Sequence, residues 1–453
     1  MPNNAQKVHF VSLGCPKNRV DSEVMLGQLD NDYVLTDDAN GADVIVVNTC
    51  SFIQSATEES VETILEMAQK KANANCQKLI VTGCMVQRYG QSLEGELPEV
   101  DFFLGTGEYH RFGDVLRSKA PTQRSFIDTP MYIHDEFAKR VPSWKSHSAY
   151  LKISEGCNHR CAFCIIPTLR GKLRSRTIPS LVTEAEQLVS QGVKELNLVS
   201  QDSTAYGRDL KNGSDLGALL RALTPIDGLE WVRLHYAYPI GLPESLLRAI
   251  AEEEKVCSYI DIPLQHASGN MLRRMRRGVT RAGQERILER IHSFIPDVAI
   301  RSTFIVGFPG ETEEDFDVLK DFIQDQRFDR VGVFTYFQED GTEAATMDQQ
   351  VDDDIKQQRQ AELMGLQAEI SKEKNEAFIG KTVPLLVDGV SDDHEWVQVG
   401  RMATQAPEVD GQVYIENSDI TNISAGDFVQ VKITQAQEYD LAGVIVPEDT
   451  VET

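Results

Sequence analysis

Glu155-Gly156-Cys157-Asn158-His159-Arg160-Cys161-Ala162-Phe163-Cys164 places three thiols within eight residues, in C-x3-C-x2-C spacing. A structural zinc site closes with four ligands, whereas a cubane iron–sulfur cluster held by three cysteines leaves one iron free to take a small molecule. The count of three therefore favours a cluster that works on a ligand over an incomplete zinc knuckle or a chance spacing. The triplet follows directly on a β-rich run at 149–154, so it sits on a loop at a strand end.

Downstream, the same strand-then-helix rhythm repeats. Strand candidates lie at 149–154, 195–200, 231–236, 259–264, 299–306 and 330–337. Segments 180–190, 243–253, 281–294 and 313–324 carry apolar residues at helical spacing and are predicted to cover the outside of a partial (βα)6 barrel. Barrel active sites lie at the carboxyl ends of the strands, where the cysteine loop falls. Polar residues follow the later strands at that end: Gln201-Asp202, His235-Tyr236, Gln265-His266 and Gly307-Phe308-Pro309-Gly310-Glu311. Two basic runs also follow strands. Arg170, Lys172, Arg174 and Arg176 form one; Arg273, Arg274, Arg276, Arg277 and Arg281, framing Leu272 and Met275, form the other. Each reads either as a solvated face or as a basic lip for a carboxylate-bearing ligand.

Upstream, three β-branched runs each end in a cysteine at a period of about 35 residues: 8–13 then Cys15, 43–49 then Cys50, and 78–83 then Cys84. Helical patterns at 21–29 and 57–71 separate them, so the segment is predicted to form βα units of a parallel sheet. The carboxyl ends of parallel strands share one edge, which would bring the three cysteines together as a second triad. The bland alternative is three buried thiols in an ordinary parallel α/β core. Gly14, Thr49 and Gly83 precede the cysteines, as suits backbone packed closely around a bulky group. Cys76 and Cys257 fit neither pattern and read as packed thiols.

A Gln/Glu/Lys-rich helix at 352–378 leads out of the barrel to short strands at 383–387, 396–400, 413–415 and 428–433, a small antiparallel β-barrel. From residue 379 onward 14 acidic residues stand against 3 basic, a net of −11, and the whole chain of 453 residues carries −25. A grip on a nucleic-acid backbone requires the opposite sign, so the balance points to a small substrate or a basic protein. No signal-peptide pattern and no apolar run of membrane-spanning length occurs. A cytoplasmic enzyme with reduced cysteines is expected.

The triplet, with Phe163 before its last cysteine, resembles the radical S-adenosylmethionine (SAM) superfamily. The two triads and the three-part order together resemble the methylthiotransferases of that superfamily, which have an N-terminal cluster domain, a radical SAM core and a TRAM domain. On that resemblance the domains fall at 7–125, 140–378 and 379–446. Val11-Ser-Leu-Gly-Cys-Pro-Lys-Asn, Ile153-Ser-Glu-Gly-Cys-Asn-His-Arg-Cys, Ile262-Pro-Leu-Gln-His-Ala-Ser and Arg301-Ser-Thr-Phe-Ile-Val-Gly-Phe-Pro-Gly-Glu-Thr-Glu-Glu-Asp-Phe resemble the branch that modifies one aspartate of small-subunit ribosomal protein number twelve. The tRNA-modifying branch typically has Gly-Cys-Gln-Met-Asn where this chain has Gly-Cys-Pro-Lys-Asn.

The resemblance implies two 4Fe–4S clusters. One, on Cys157, Cys161 and Cys164, would cleave SAM to generate a radical; the other, on Cys15, Cys50 and Cys84, would carry the sulfur to be methylated and transferred. It also implies SAM contacts from Phe163, Gln201, Asp202, Gly307, Gly310 and Glu311, and no side-chain acid or base. An electron donor and a sulfur donor complete the expected partners, and the terminal barrel would dock the ribosomal protein. A tRNA adenosine methylthiotransferase and a non-catalytic metal-binding scaffold on the ribosome are the competing readings.

Overall fold

The computed structural model describes residues 5–74, 76–118, 123–394, 396–416 and 422–446. The N-terminal unit is a six-stranded sheet, parallel throughout, built from β1 (Gln6–Ser12), β2 (Tyr33–Leu35), β3 (Val44–Thr49), β4 (Lys78–Gly83), β5 (Phe102–Leu104) and β6 (Ser125–Phe126), in the order β2-β1-β3-β4-β5-β6. Strand β3, Val-Ile-Val-Val-Asn-Thr, is buried along its whole length, as befits a parallel strand covered on both faces. Its side chains alternate between two cores. Ile45 and Val47 pack with Leu79, Val81 and Phe103, whereas Val44 and Val46 pack with Ile80, Phe102 and Leu104. The chain lays β2 on one side of β1 and then crosses to β3 on the other. That reversal opens a crevice at the carboxyl ends of β1 and β3, the usual ligand position in open α/β sheets.

The central unit contains β7 (Ser148–Lys152), a short antiparallel ribbon of β8 (Ser154–Glu155) with β9 (Arg174–Ser175), then β10 (Glu195–Val199), β11 (Trp231–Leu234), β12 (Tyr259–Asp261), β13 (Ala299–Val306) and β14 (Arg330–Thr335). Two parallel three-stranded sheets, β11-β10-β7 and β12-β13-β14, meet at an isolated Val232–Val256 bridge to make the open barrel that the periodicity predicts. Leu196, Leu198, Val232, Leu234, Ile260 and Ile300 face the surrounding helices in the largest apolar core. The alternate residues Glu195, Asn197, Arg233, Asp261 and Arg301 are polar. A further covering helix, Leu216–Leu223, lies between β10 and β11. The connector helix spans Asp353–Glu376 and lies along β14.

The terminal unit is a closed barrel of β15 (Thr382–Val390), β16 (Gln398–Arg401), β17 (Val413–Ile415), β18 (Phe428–Ala436) and β19 (Leu441–Ile445). Four pairings are antiparallel, and a parallel β17–β19 pair closes the ring. β19, Leu-Ala-Gly-Val-Ile, escaped the sequence reading because it lacks apolar/polar alternation.

Ion networks hold the three units together. Between the first two, Lys152 and Arg170 are buried against Asp21 of the N-terminal unit and Glu155, with Lys152–Glu155 at 2.7 Å and Arg170–Asp21 at 2.5 Å. Burial alone would raise the Glu155 carboxyl, but these two cations bring it down to about 2. The terminal barrel packs Leu386, Ala406 and Phe428 on Trp231, Tyr259 and Ala299, the first residues of β11, β12 and β13. Arg401 forks onto Glu195 at 2.8 and 3.1 Å, and Arg233 reaches the same carboxylate at 3.1 Å. The terminal barrel therefore caps the amino-terminal end of the central one, opposite the strand ends that carry Cys157, Cys161 and Cys164. None of the described helices is long and apolar enough to cross a membrane.

Candidate active site: two cysteine triads on one cavity

Cys15 and Cys84 are set by helix starts. Cys15 is the N-cap of helix Pro16–Leu26, and Cys84 is the first residue of helix Cys84–Tyr89. Gly14 has φ +84, and a Cβ there would lie 2.6 Å from Cys50 Cβ and 2.9 Å from its sulfur. Gly83 has φ +100, with its open side 2.5 Å from the Asn48 amide oxygen and the Thr49 carbonyl. Both positions need glycine for conformation and for space, and both hold β1, β3 and β4 close enough for their cysteines to converge.

In the central loop, Cys157 N–H donates to Gly171 O at 3.1 Å, and Ala162 N–H donates to Met275 O at 3.1 Å. Cys164 N–H turns back on Cys161 O at 3.1 Å. The first two bonds tie the triplet to the turn before β9 and to the segment after helix Gly269–Arg274.

All six cysteines line one cavity of about 490 Å³ between the N-terminal and central units. Cys76 and Cys257 instead sit in separate apolar cores, as expected of packed thiols. Among the described residues no three His, Cys, Asp or Glu side chains converge on a point tightly enough for a single ion. Thiols ranged around a space fit a cluster, in which each thiolate binds a different iron. All eight cysteines are free. Burial pushes Cys84 up to about 12, Cys164 to about 12 and Cys157 to about 11, and it raises Cys50 as well. Without metal these are protonated thiols, so taking up iron releases protons.

Each triad also has one buried arginine turned on its sulfur. Arg170 donates to Cys84 Sγ at 3.3 Å and to Asn18 Oδ1 at 3.0 Å. Arg277 donates to Cys161 Sγ at 3.4 Å and to Pro263 O, and it lies 4.3 Å from the Tyr238 ring centroid. The basic runs are therefore open only in part, at residues such as Lys172 and Arg273. Arg170, Arg176 and Arg277 are buried, Arg276 pairs with Glu343 at 2.5 Å, and Arg281 pairs with Glu285 at 2.9 Å.

Phe163 and Gln201 line the cavity. Asp202 is buried behind it and receives His159 Nε2 at 2.7 Å, while the His159 ring stacks on Tyr238 at 3.7 Å. Gly307, Gly310 and Glu311 lie outside the cavity lining. Glu311 turns back to accept the Gly307 and Phe308 N–H groups, at 2.8 and 3.3 Å, and pairs with Arg359 at 2.7 Å. A carboxylate next to a glycine turn at a strand end reads as a ligand contact in sequence. Here its partner comes from the connector helix, some fifty residues on, which no local pattern announces.

The lining also includes Lys17, His159, Tyr236, Gln265 and Arg277. His159 and Lys17 stand inside the two cysteine motifs, and that adjacency was the available signal. Tyr236 and Gln265, in the loops after β11 and β12, have φ of +60 and +73, unusual for residues with side chains and typical of sites where strain holds a group in place.

Three families match the chain in sequence: Uncharacterized protein family UPF0004 at residues 7–105, the radical SAM superfamily at 151–323 and the TRAM domain at 379–446. A relative in Geobacter sulfurreducens, named ribosomal protein uS12 methylthiotransferase RimO, is 47% identical over 98% of this chain and 100% of its own. Relatives of the same name in Anaeromyxobacter sp. (strain K) and Myxococcus xanthus are 50% and 47% identical, covering 98% and 97% of this chain and 94% and 92% of theirs. Among solved structures, the radical SAM methyltransferase TsrM of Kitasatospora setae aligns with a TM-score of 0.54 at 14% identity, covering 73% of each chain. The cobalamin-dependent radical SAM enzyme OxsB aligns at 0.52 and 13%, over 81% of this chain and 56% of that one. The structural likenesses speak for the fold alone.

Proposed function

The chain belongs to the ribosomal protein uS12 methylthiotransferase family, and we propose that it places a methylthio group on the β-carbon of one aspartate of uS12, small-subunit ribosomal protein number twelve. The observation that carries this reading is the meeting of two cysteine triads, from two different folding units, on one cavity of about 490 Å³. Cys15, Cys50 and Cys84 would hold one 4Fe–4S cluster, and Cys157, Cys161 and Cys164 the other. With SAM, the clusters supply the one-electron chemistry and the sulfur that no side chain offers at an unactivated carbon.

The chain's own residues shape the site. Arg170 and Arg277 put positive charge and N–H donors on one sulfur of each triad, stabilising its thiolate. Asp202 fixes the His159 ring, and the ring packs on Tyr238 beside Cys161. Ile53, Ile166 and Leu169 add apolar surface to the cavity wall, which suits a site that handles reactive species. Phe163 and Gln201 remain the SAM contacts this reading favours. Asp202 would act through His159, and Gly307, Gly310 and Glu311 by shaping the loop behind Phe308.

The terminal barrel caps the far end of the central one, so substrate would enter from the cysteine side. The acidic balance favours a basic ribosomal protein over tRNA. A cytoplasmic location, an electron donor and a sulfur donor belong to the same reading.

The test is mass spectrometry of uS12 after incubation with anaerobically reconstituted enzyme, SAM, a reductant and sulfide, beside a Cys157→Ala control. A gain of one SCH3 in place of one hydrogen on an aspartate, absent from the control, supports the reading. Unmodified uS12 with methylthiolated tRNA would transfer the activity to the nucleic acid.

A further inference from the structure

Lys17 stands apart from the other cations at the junction of the two units. Lys152 and Arg170 are matched to Asp21 and Glu155, and Arg170 and Arg277 each turn a donor on a cysteine sulfur. The Lys17 ammonium lines the cavity 3.6 Å from the Tyr236 ring centroid and 3.5 Å from Ser200 O. Among the described residues no carboxylate lies within ion-pair distance of it. The ammonium is held by the Tyr236 side chain, the Ser200 carbonyl and the neighbouring Cys15 sulfur, and it has no carboxylate partner.

The surroundings are built to keep it so. Tyr236 adopts φ +60 directly after His235 at the end of β11, and this left-handed turn brings its ring under Lys17. Backbone strain of that kind persists where the surrounding structure has a use for it. Gln201 and Gln265 line the same cavity, and Gln265 also holds a left-handed backbone, at φ +73. An ammonium facing the cavity with no carboxylate of its own complements a ligand that carries one. An aspartate side chain does.

We propose that Lys17 binds the carboxylate of the target aspartate and selects it over an uncharged side chain. This rests on the function proposed above. Lys17 acts by holding the substrate: its charge fixes the carboxylate on one side so that the adjacent carbon faces the space between the triads. SAM also carries a carboxylate, so the test must separate the two ligands.

Reconstituted wild-type, Lys17→Met and Lys17→Arg enzymes are compared for binding of uS12, for binding of uS12 with asparagine in place of the target aspartate, for binding of SAM, and for iron content. In Lys17→Met the dissociation constant for uS12 is expected to rise about ten- to a hundredfold, the worth of one hydrogen-bonded charge pair. The preference for aspartate over asparagine should vanish, Lys17→Arg should restore part of it, and SAM affinity and iron content should stay at the wild-type level. A Lys17→Met enzyme that keeps its aspartate preference overturns the proposal. So does one that loses SAM affinity, which would assign Lys17 to the cofactor, or iron, which would make its role structural. A wild-type enzyme that leaves uS12 unmodified overturns the function itself, a failure distinct from that of Lys17.

Discussion

His235 makes the stability of this protein sensitive to mild acid. It follows β11, is buried, and donates from Nε2 to Asn197 Oδ1 at 3.2 Å. Burial first, then the nearby Arg233, push its pKa from 6.5 down to about 3, with Glu195 opposing and Arg301 and Lys17 adding to the depression. The unfolded chain takes up a proton on this ring below 6.5, whereas the native state refuses it until about 3. Stability is therefore full above 6.5 and falls as the pH drops through that window. From near pH 7 to near pH 5 the loss from this one ring is about 2 kcal/mol. Glu155, already depressed to about 2 from 4.5, gives up its contribution only at more acid pH, so the upper window isolates histidine. His235→Gln retains a donor for Asn197 and removes the titration. Urea unfolding of the metal-free chain at both pH values should show wild type losing about 2 kcal/mol more than His235→Gln between them. The depressed His134 titrates in both proteins and cancels. Equal losses in the two proteins would refute the reasoning.

Gly14→Ala should halve the iron bound after reconstitution, because the new Cβ would fall 2.9 Å from Cys50 Sγ at a φ of +84, while the triad in the central loop is untouched. Iron analysis with electron paramagnetic resonance decides it, and a full iron complement would contradict it. Glu195→Gln leaves Arg233 and Arg401 buried with their shared carboxylate gone. It should cost about 3–5 kcal/mol, read as a lower unfolding midpoint and earlier proteolysis at the terminal barrel. Arg277→Met removes a donor from Cys161 Sγ, and the reduction potential of the cluster on that triad should move to more negative values in a redox titration, with that of the other cluster unchanged.

Much of the architecture is local and therefore legible in the chain. The β-branched runs ending at Cys15, Cys50 and Cys84, the helical spacing of 281–294 and the C-x3-C-x2-C loop can each be read within a dozen or so residues, because strand and helix periods are set by near neighbours. The edge of a parallel sheet then brings the first three cysteines together without further information. Other features follow only from the packing of one unit on another. The two triads share a cavity because Asp21 and Glu155 divide Lys152 and Arg170 across the junction. That pairing buries Arg170 as a donor to the Cys84 sulfur. Arg359 of the connector helix likewise pairs with Glu311, and the left-handed turn at Tyr236 sets a ring beneath Lys17. The sequence by itself determined which groups could bind iron and on which strand ends they stand. The tertiary structure decided which charges would be neutralised and which left open, because the cost of a buried charge depends on partners distant in the chain.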